Sequence, residues 1–123
     1  MKYVDGFVIV VSEDRIAEYR KMAEMGEKLW MKHGALEYFE CVGDDLEQEN
    51  MPGITFPKMA KARAGETIVF SFIIFRSRAH RDAVNAKVMK DPMMNDPEWK
   101  GKPMPFDMKR MAYGGFRVLI GGQ

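Results

Sequence analysis

Residues 67–75 narrow the choice of fold more than any other part of the chain. Thr67, Ile68, Val69, Phe70, Ser71, Phe72, Ile73, Ile74 and Phe75 are β-branched or aromatic at every position except Ser71. Such a run reads as a strand. Because it is apolar on both faces, it belongs at the centre of a sheet, with both faces covered. Any fold for this chain has to supply that double cover.

The neighbouring segments supply part of it. Residues 3–11 carry the same β-branched and aromatic bias and predict a first strand. Ser12 fits an N-cap, with Glu13 and Asp14 in the first helical turn. Ile16, Tyr19, Met22, Ala23, Gly26, Leu29, Trp30 and His33 then recur at helical spacing. Gly26 lies on that apolar stripe. A glycine there costs about 1 kcal/mol relative to alanine, so close packing against a sheet is expected to compensate. Gly34 fits a C′ glycine.

Residues 36–42 predict a second strand, closed by Gly43, Asp44 and Asp45. Between Gly43 and Gly65, alternation through Phe56, Lys58, Ala60 and Ala62 predicts a small extra strand or hairpin arm. Ser77 fits the cap of a second helix running to about Lys90, with Ala83, Val84 and Val88 as its stripe. Asp91 before Pro92 ends it. One short helical turn is expected at Asp96, Pro97 and Glu98, a loop over 100–107 and a last strand over 111–120. Gly114 and Gly115 inside that strand suggest a bulge or a close helix approach.

The order β-α-β-(β)-β-α-β, with right-handed crossovers, predicts an α+β, ferredoxin-like fold in one domain spanning 1–123. Both helices lie on one face of a four-stranded antiparallel sheet. The second face is also apolar and should not stay wet. A second copy of the chain, packed sheet against sheet as a dimeric α/β barrel, is the simplest cover. Period-two alternation places Asp5, Phe7, Ile9, Tyr38, Glu40, Ser71, Ile73, Tyr113 and Arg117 on the dimer side. It places Val4, Gly6, Val8, Phe39, Cys41, Phe70, Phe72, Ile74, Gly114 and Phe116 under the helices. The phase of the second strand is the least constrained.

Charge and composition remove several functions. Nineteen Lys and Arg against eighteen Asp and Glu leave a formal charge of +1. That balance argues against a nucleic-acid module and a polybasic membrane surface. No stretch approaches the roughly 20 apolar residues of a membrane span. The run Phe7, Val8, Ile9, Val10, Val11 is too short for a signal segment and meets Glu13 and Asp14 at once. A soluble, cytoplasmic protein is expected. Cys41 is the single cysteine, and His33 and His80 form no i,i+4 pair, so no metal site or cofactor motif is read. Cys41 is expected to be a buried, inert thiol.

The candidate site follows from polar residues on the expected dimer side. Asp5, Glu40 and Tyr113 are the catalytic candidates, since carboxylates in an apolar space are either paired or tuned in pKa. Ser71, Arg76, His80, Asp107, Arg110 and Arg117 are candidate ligand-binding residues. Arg76, Arg78, His80 and Arg81 make a basic start to the second helix, and Lys100, Lys102, Lys109 and Arg110 make a second basic group. Twelve methionines, several in the last third, read mainly as gap-filling, with a Met-lined cleft as the alternative. Three function classes stand: a protein that binds or converts a small organic molecule, a non-catalytic regulatory dimer and, weakest, an RNA-associated protein.

The chain also resembles a known family. Tyr3-Val4-Asp5-Gly6-Phe7, Gly34-Ala35-Leu36 with Glu40-Cys41, Gly43-Asp44-Asp45 and Val69-Phe70-Ser71-Phe72 carry the first part of the match. Arg81-Asp82-Ala83 with Asn85, Asp91-Pro92, Met104-Pro105-Phe106-Asp107, Lys109-Arg110-Met111 and Tyr113-Gly114-Gly115-Phe116 carry the rest. In this order they resemble the bacterial YbaA-like family, a domain of unknown function (DUF1428) in the dimeric α/β-barrel superfamily. The resemblance implies the ferredoxin-like fold and a homodimer. It implies no activity. An RNA-related label carried by some relatives has no support in the near-neutral charge.

Overall fold

The computed structural model describes residues 1–96 and 101–122. Its elements run β1 (Tyr3–Ser12), α1 (Ile16–Lys32), β2 (Glu37–Val42), α2 (Phe56–Ala60), β3 (Glu66–Phe75), α3 (Arg78–Lys90) and β4 (Ala112–Arg117). Short 3-10 turns occupy Glu13–Arg15, Pro92–Asn95 and Met108–Arg110. The sheet order is β2-β3-β1-β4, and all three pairings are antiparallel. This is the ferredoxin-like arrangement, with β3 and β1 central as their apolar runs require. The sheet of one chain is open and does not close into a barrel.

α1 and α3 cover one face. Leu29, Ala35, Ile73, Phe75, Val84 and Val88 make one buried cluster, and Ile9, Val11, Tyr19, Ala23 and Val69 make another. Gly26 is buried on α1 under close contact, as expected. Gly34 follows α1 with φ +111°. The Ser77 hydroxyl accepts the His80 N–H at 3.1 Å and caps α3, which ends at Lys90 before Asp91. The Ser12 side chain instead accepts no helical N–H. It donates to Asp14 Oδ1 at 2.6 Å, and a 3-10 turn precedes α1.

The facing of the sheet is the reverse of the expected one. Ile9, Ile73 and Val69 lie in the clusters under the helices. Pairing then places Asp5, Phe7, Tyr38, Glu40, Ser71, Tyr113 and Arg117 on that same helix side. Val4, Gly6, Val8, Phe39, Cys41, Phe70, Phe72, Gly114 and Phe116 form the face without α1 and α3. Both faces are apolar, so alternation alone does not say which one meets the helices. What decides is that α1 and α3 carry polar partners for the polar strand residues.

Residues 56–60 form a helical turn rather than an extra strand, because Thr55 caps it and Lys61 closes it at φ 56°. Gly114 and Gly115 keep an unbroken register with Gly6 and Asp5, so there is no bulge. A Cβ on Gly115 would meet the Tyr3 hydroxyl at 2.5 Å, so the close neighbour is a phenol and not a helix. Cys41 is exposed on the open face, not buried. The last strand ends at Arg117, and the helical turn expected at Asp96, Pro97 and Glu98 falls mostly outside the described residues. Met22, Met93, Met94 and Met111 pack on the core clusters, whereas Met89 and Met108 are exposed, so the methionines do not line one cleft.

The open face is large and aromatic. α2 packs across one end of it, with the Phe56 ring 6.2 Å from Phe70, and Val10 and Ile68 are buried there. Phe39, Phe70 and Phe116 remain 43%, 45% and 61% exposed in the single chain. Among the described residues no helix is long and apolar enough to cross a membrane.

Candidate functional site

Glu40 lies at the centre of a cleft between α1 and the β2 edge. Register pairs Tyr38, Glu40 and Val42 with Ile73, Ser71 and Val69, so all three side chains point toward α1. Tyr19, on the buried stripe of α1, donates its hydroxyl to Glu40 Oε1 at 2.7 Å. Tyr38 donates to the other oxygen, Oε2, at 2.8 Å. Burial, then the hydrogen bond to Glu40, pushes the Tyr19 phenol far above its ordinary pKa. Burial, then the Glu40 charge, does the same to Tyr38. Both phenols are therefore fixed as donors, and Glu40 is the acceptor. Phe106 braces the Tyr19 ring edge-on at 5.8 Å, and Trp30 lies 6.4 Å from Tyr38.

The cleft has a volume of about 430 Å³. Ile16, Ala23, Val42 and Val69 give it apolar walls, and Glu24 and Glu27 line it from α1. Arg20 also lines it but pairs with Glu24 at 3.1 Å. Size and lining match small-molecule pockets, which are mostly apolar with a few placed polar groups.

Asp5 has a different environment. It is 8% exposed under α3. Arg81 lies 3.4 Å from its carboxylate, and the Asn85 side chain lies near enough to lower its pKa. Burial raises the Asp5 pKa, and Arg81 partly opposes the rise. Arg81 also donates to the Tyr3 hydroxyl at 3.2 Å, with its guanidinium 4.9 Å above the Tyr3 ring. Asn85 accepts the Trp30 indole N–H at 3.0 Å. This network ties β1, α1 and α3 together.

The three catalytic candidates do not converge. Glu40, Ser71, Phe7 and Tyr113 form one row across the sheet. Glu40 and Tyr113 sit at its two ends, three strand spacings or roughly 14 Å apart. Tyr113 is 74% exposed and stacks on Phe7 at 6.5 Å. Ser71 is buried beside Glu40 in register. The Arg76 backbone N–H donates to His80 Nδ1 at 2.9 Å. Asp107 caps the turn before β4 through the Lys109 N–H at 2.9 Å. Arg110 grips Glu66 with two bonds of 2.7 and 2.9 Å, and Arg117 is exposed opposite Tyr3.

Residue-level reading missed Tyr19 and Tyr38 as partners of Glu40, and Arg81 and Asn85 as partners of Asp5. The signals were present. Tyr19 is a polar-tipped ring on an apolar stripe, and Arg81 and Asn85 share one face of α3 at i,i+4.

Fold and connectivity thus define an α+β protein of the ferredoxin-like class. A crystal structure of a dimeric ferredoxin-like protein from an uncultured marine organism matches with TM-score 0.54, covering 100% of this chain and 99% of that one at 12% identity. That likeness concerns the fold. The chain belongs to the family described as "Protein of unknown function (DUF1428)", whose model matches residues 2–108. Among its relatives, the "Uncharacterized protein YbaA" of Escherichia coli (strain K12) is 43% identical over 120 residues, 98% of each chain. The Shigella flexneri protein of the same name matches to the same extent.

Proposed function

We propose that the protein is a homodimer in which each subunit binds a small organic molecule in the cleft between α1 and β2. The observation that carries the reading is the Glu40 carboxylate, held by the Tyr19 and Tyr38 phenols in a cleft of about 430 Å³. A polar group whose orientation is fixed from two sides, within apolar walls, suits recognition of a ligand. The cleft lies within one subunit, beneath α1, and not between the two sheets.

The dimer rests on a different observation. Phe39, Phe70, Phe72 and Phe116 share a sheet face that α2 covers only at one end. Exposed aromatic surface of this kind favours association. A second copy fits it because the same patch is then used twice, about a two-fold axis. The ferredoxin-like neighbour is itself dimeric, which supports a second copy as the partner.

Gently purified protein, analysed by native mass spectrometry and amide NMR, tests the ligand reading. The expected result is a co-purifying or added small molecule whose shift changes centre on α1 and β2. Changes confined to the open face would move the site elsewhere. Light scattering tests the dimer, with twice the 14.2 kDa chain mass expected.

A further inference from the structure

We infer that the α1–β2 cleft takes an organic cation: a protonated amine carried on an apolar or aromatic body. The inference rests on the reading of that cleft as a ligand site, and it names the ligand's chemistry.

Three other carboxylates withdrawn from the surface each have a cation as partner. Asp5 has Arg81 at 3.4 Å, Glu66 has Arg110 at 2.7 Å, and Asp91 has Lys32 at 2.9 Å. Glu40 is likewise drawn off the surface, yet among the described residues no Lys, Arg or His reaches it within ion-pair distance. It has two neutral phenols instead. Phenols orient a carboxylate and bond to it, but they leave its charge in place. A carboxylate offers about four lone-pair sites, and the two phenols use two of them. Charge drawn away from water favours a counter-charge.

The surroundings strengthen the demand. Glu24 and Glu27 line the same cleft, against the single guanidinium of Arg20, which Glu24 already holds. Three carboxylates and one cation leave the lining negative. The remaining walls are Ile16, Ala23, Val42 and Val69, with the Tyr19 and Tyr38 rings. An ammonium group gives three donors to Glu40, and tyrosine faces attract cations. The apolar walls suit the body that carries it. A bare divalent ion fits less well, because hard cations take six or more oxygen ligands and a single carboxylate between two protonated phenols supplies few.

The test uses three probes of similar shape on the full chain: phenethylamine, 2-phenylethanol and 3-phenylpropionate. Amide NMR locates binding, and calorimetry at pH 7 measures it. Phenethylamine should perturb α1 and β2 and bind about tenfold or more tightly than the other two. Glu40→Gln should remove most of that preference. Glu27→Gln, at an exposed position that leaves the phenol pair intact, should weaken phenethylamine several-fold. Equal or tighter binding of the alcohol or the carboxylate in the cleft would overturn the cation assignment and leave the cleft as a ligand site. An unchanged amine preference in both variants would overturn it too. No perturbation of α1 and β2 by any probe at millimolar concentration would remove the assignment and the cleft reading together.

Discussion

The Tyr38 hydroxyl lies where a side chain on Gly26 would begin. A Cβ built at Gly26 would sit 2.7 Å from Tyr38 Oη and 3.6 Å from Cζ. The missing side chain in the middle of α1 is what lets Tyr38 pass beneath the helix and reach Glu40. A helix position that local propensity disfavours is thus tied directly to the geometry of the candidate site.

Gly26→Ala should therefore have a sign that depends on Tyr38. Alone, it gains about 1 kcal/mol of helix propensity but displaces the phenol from Glu40, at a cost of about 1–3 kcal/mol. A net loss of stability is expected. In a Tyr38→Phe background the hydroxyl is gone, and the new methyl meets only a ring carbon at ordinary contact distance. There the same change should stabilise, by about 0.5–1 kcal/mol. Urea unfolding of the four proteins closes the cycle. An identical effect of Gly26→Ala in both backgrounds would break the proposed link.

Phe72→Glu should abolish the proposed dimer. Phe72 is central on the open face, with the Phe39 ring at 4.9 Å and Phe70 at 5.6 Å. A charge there would be desolvated in a sheet-on-sheet interface but hydrated in a free subunit. Light scattering at micromolar concentration should give the chain mass, with the far-UV spectrum retained. Tyr113→Glu, on the helix side of the edge strand, serves as the control and should remain dimeric. Dimers of the Phe72 variant, or loss of dimers in the control, would place the interface elsewhere.

How much was legible in the sequence differs by level. Element order and fold followed from apolar runs and helix caps, because those signals are local. Residues 67–75 had to be central, and β3 is. The facing failed because both sides of the sheet are apolar. Asp5, Glu40 and Ser71 were grouped correctly on one face, since register enforces that. Their meaning depended on Tyr19, Arg81 and Asn85, which reach them only across the packed layers. α2 was misread because alternation over a few residues is weak evidence. Thr55 and Pro57 near the start of that segment were the better signal for a helical turn.

Arg81→Met should destabilise the protein at neutral pH and do so less in acid. Removing the cation leaves Asp5 buried beside Asn85. Orphaning a buried charge typically costs about 3–5 kcal/mol, and the neighbouring Asn85 amide should keep the loss at or below that range. Burial already raises the Asp5 pKa above 3.8, and losing Arg81 raises it further. A carboxyl with a raised folded pKa is least costly when protonated. Its penalty is therefore absent below the unfolded pKa and grows as pH rises through the folded one. The melting gap to the parent should narrow on acidification, and Asp5→Asn should rescue the variant at pH 7. A gap independent of pH would mean that packing of Arg81, and not the Asp5 charge, dominates.

Glu66 should show the opposite pH dependence. Arg110 holds it with two bonds and the Arg63 backbone N–H donates a third at 2.7 Å. The Arg110 bonds first, then the Arg63 bond, lower the Glu66 carboxyl from 4.5 to about 2. A depressed folded pKa contributes stability that is complete above about 4.5 and is lost as the pH falls toward 2. Glu66→Gln should lower the melting temperature by a few degrees at pH 7, since the pair is partly exposed and screened by water. The Arg110 guanidinium also donates to the Lys61 carbonyl at 3.0 Å, so the loss should appear as earlier exchange of amides near α2 and the start of β3. Toward pH 2 the two proteins should melt together. A gap that persists unchanged from pH 7 to pH 2 would show that the Glu66 charge contributes nothing, and that the substitution acts through shape alone.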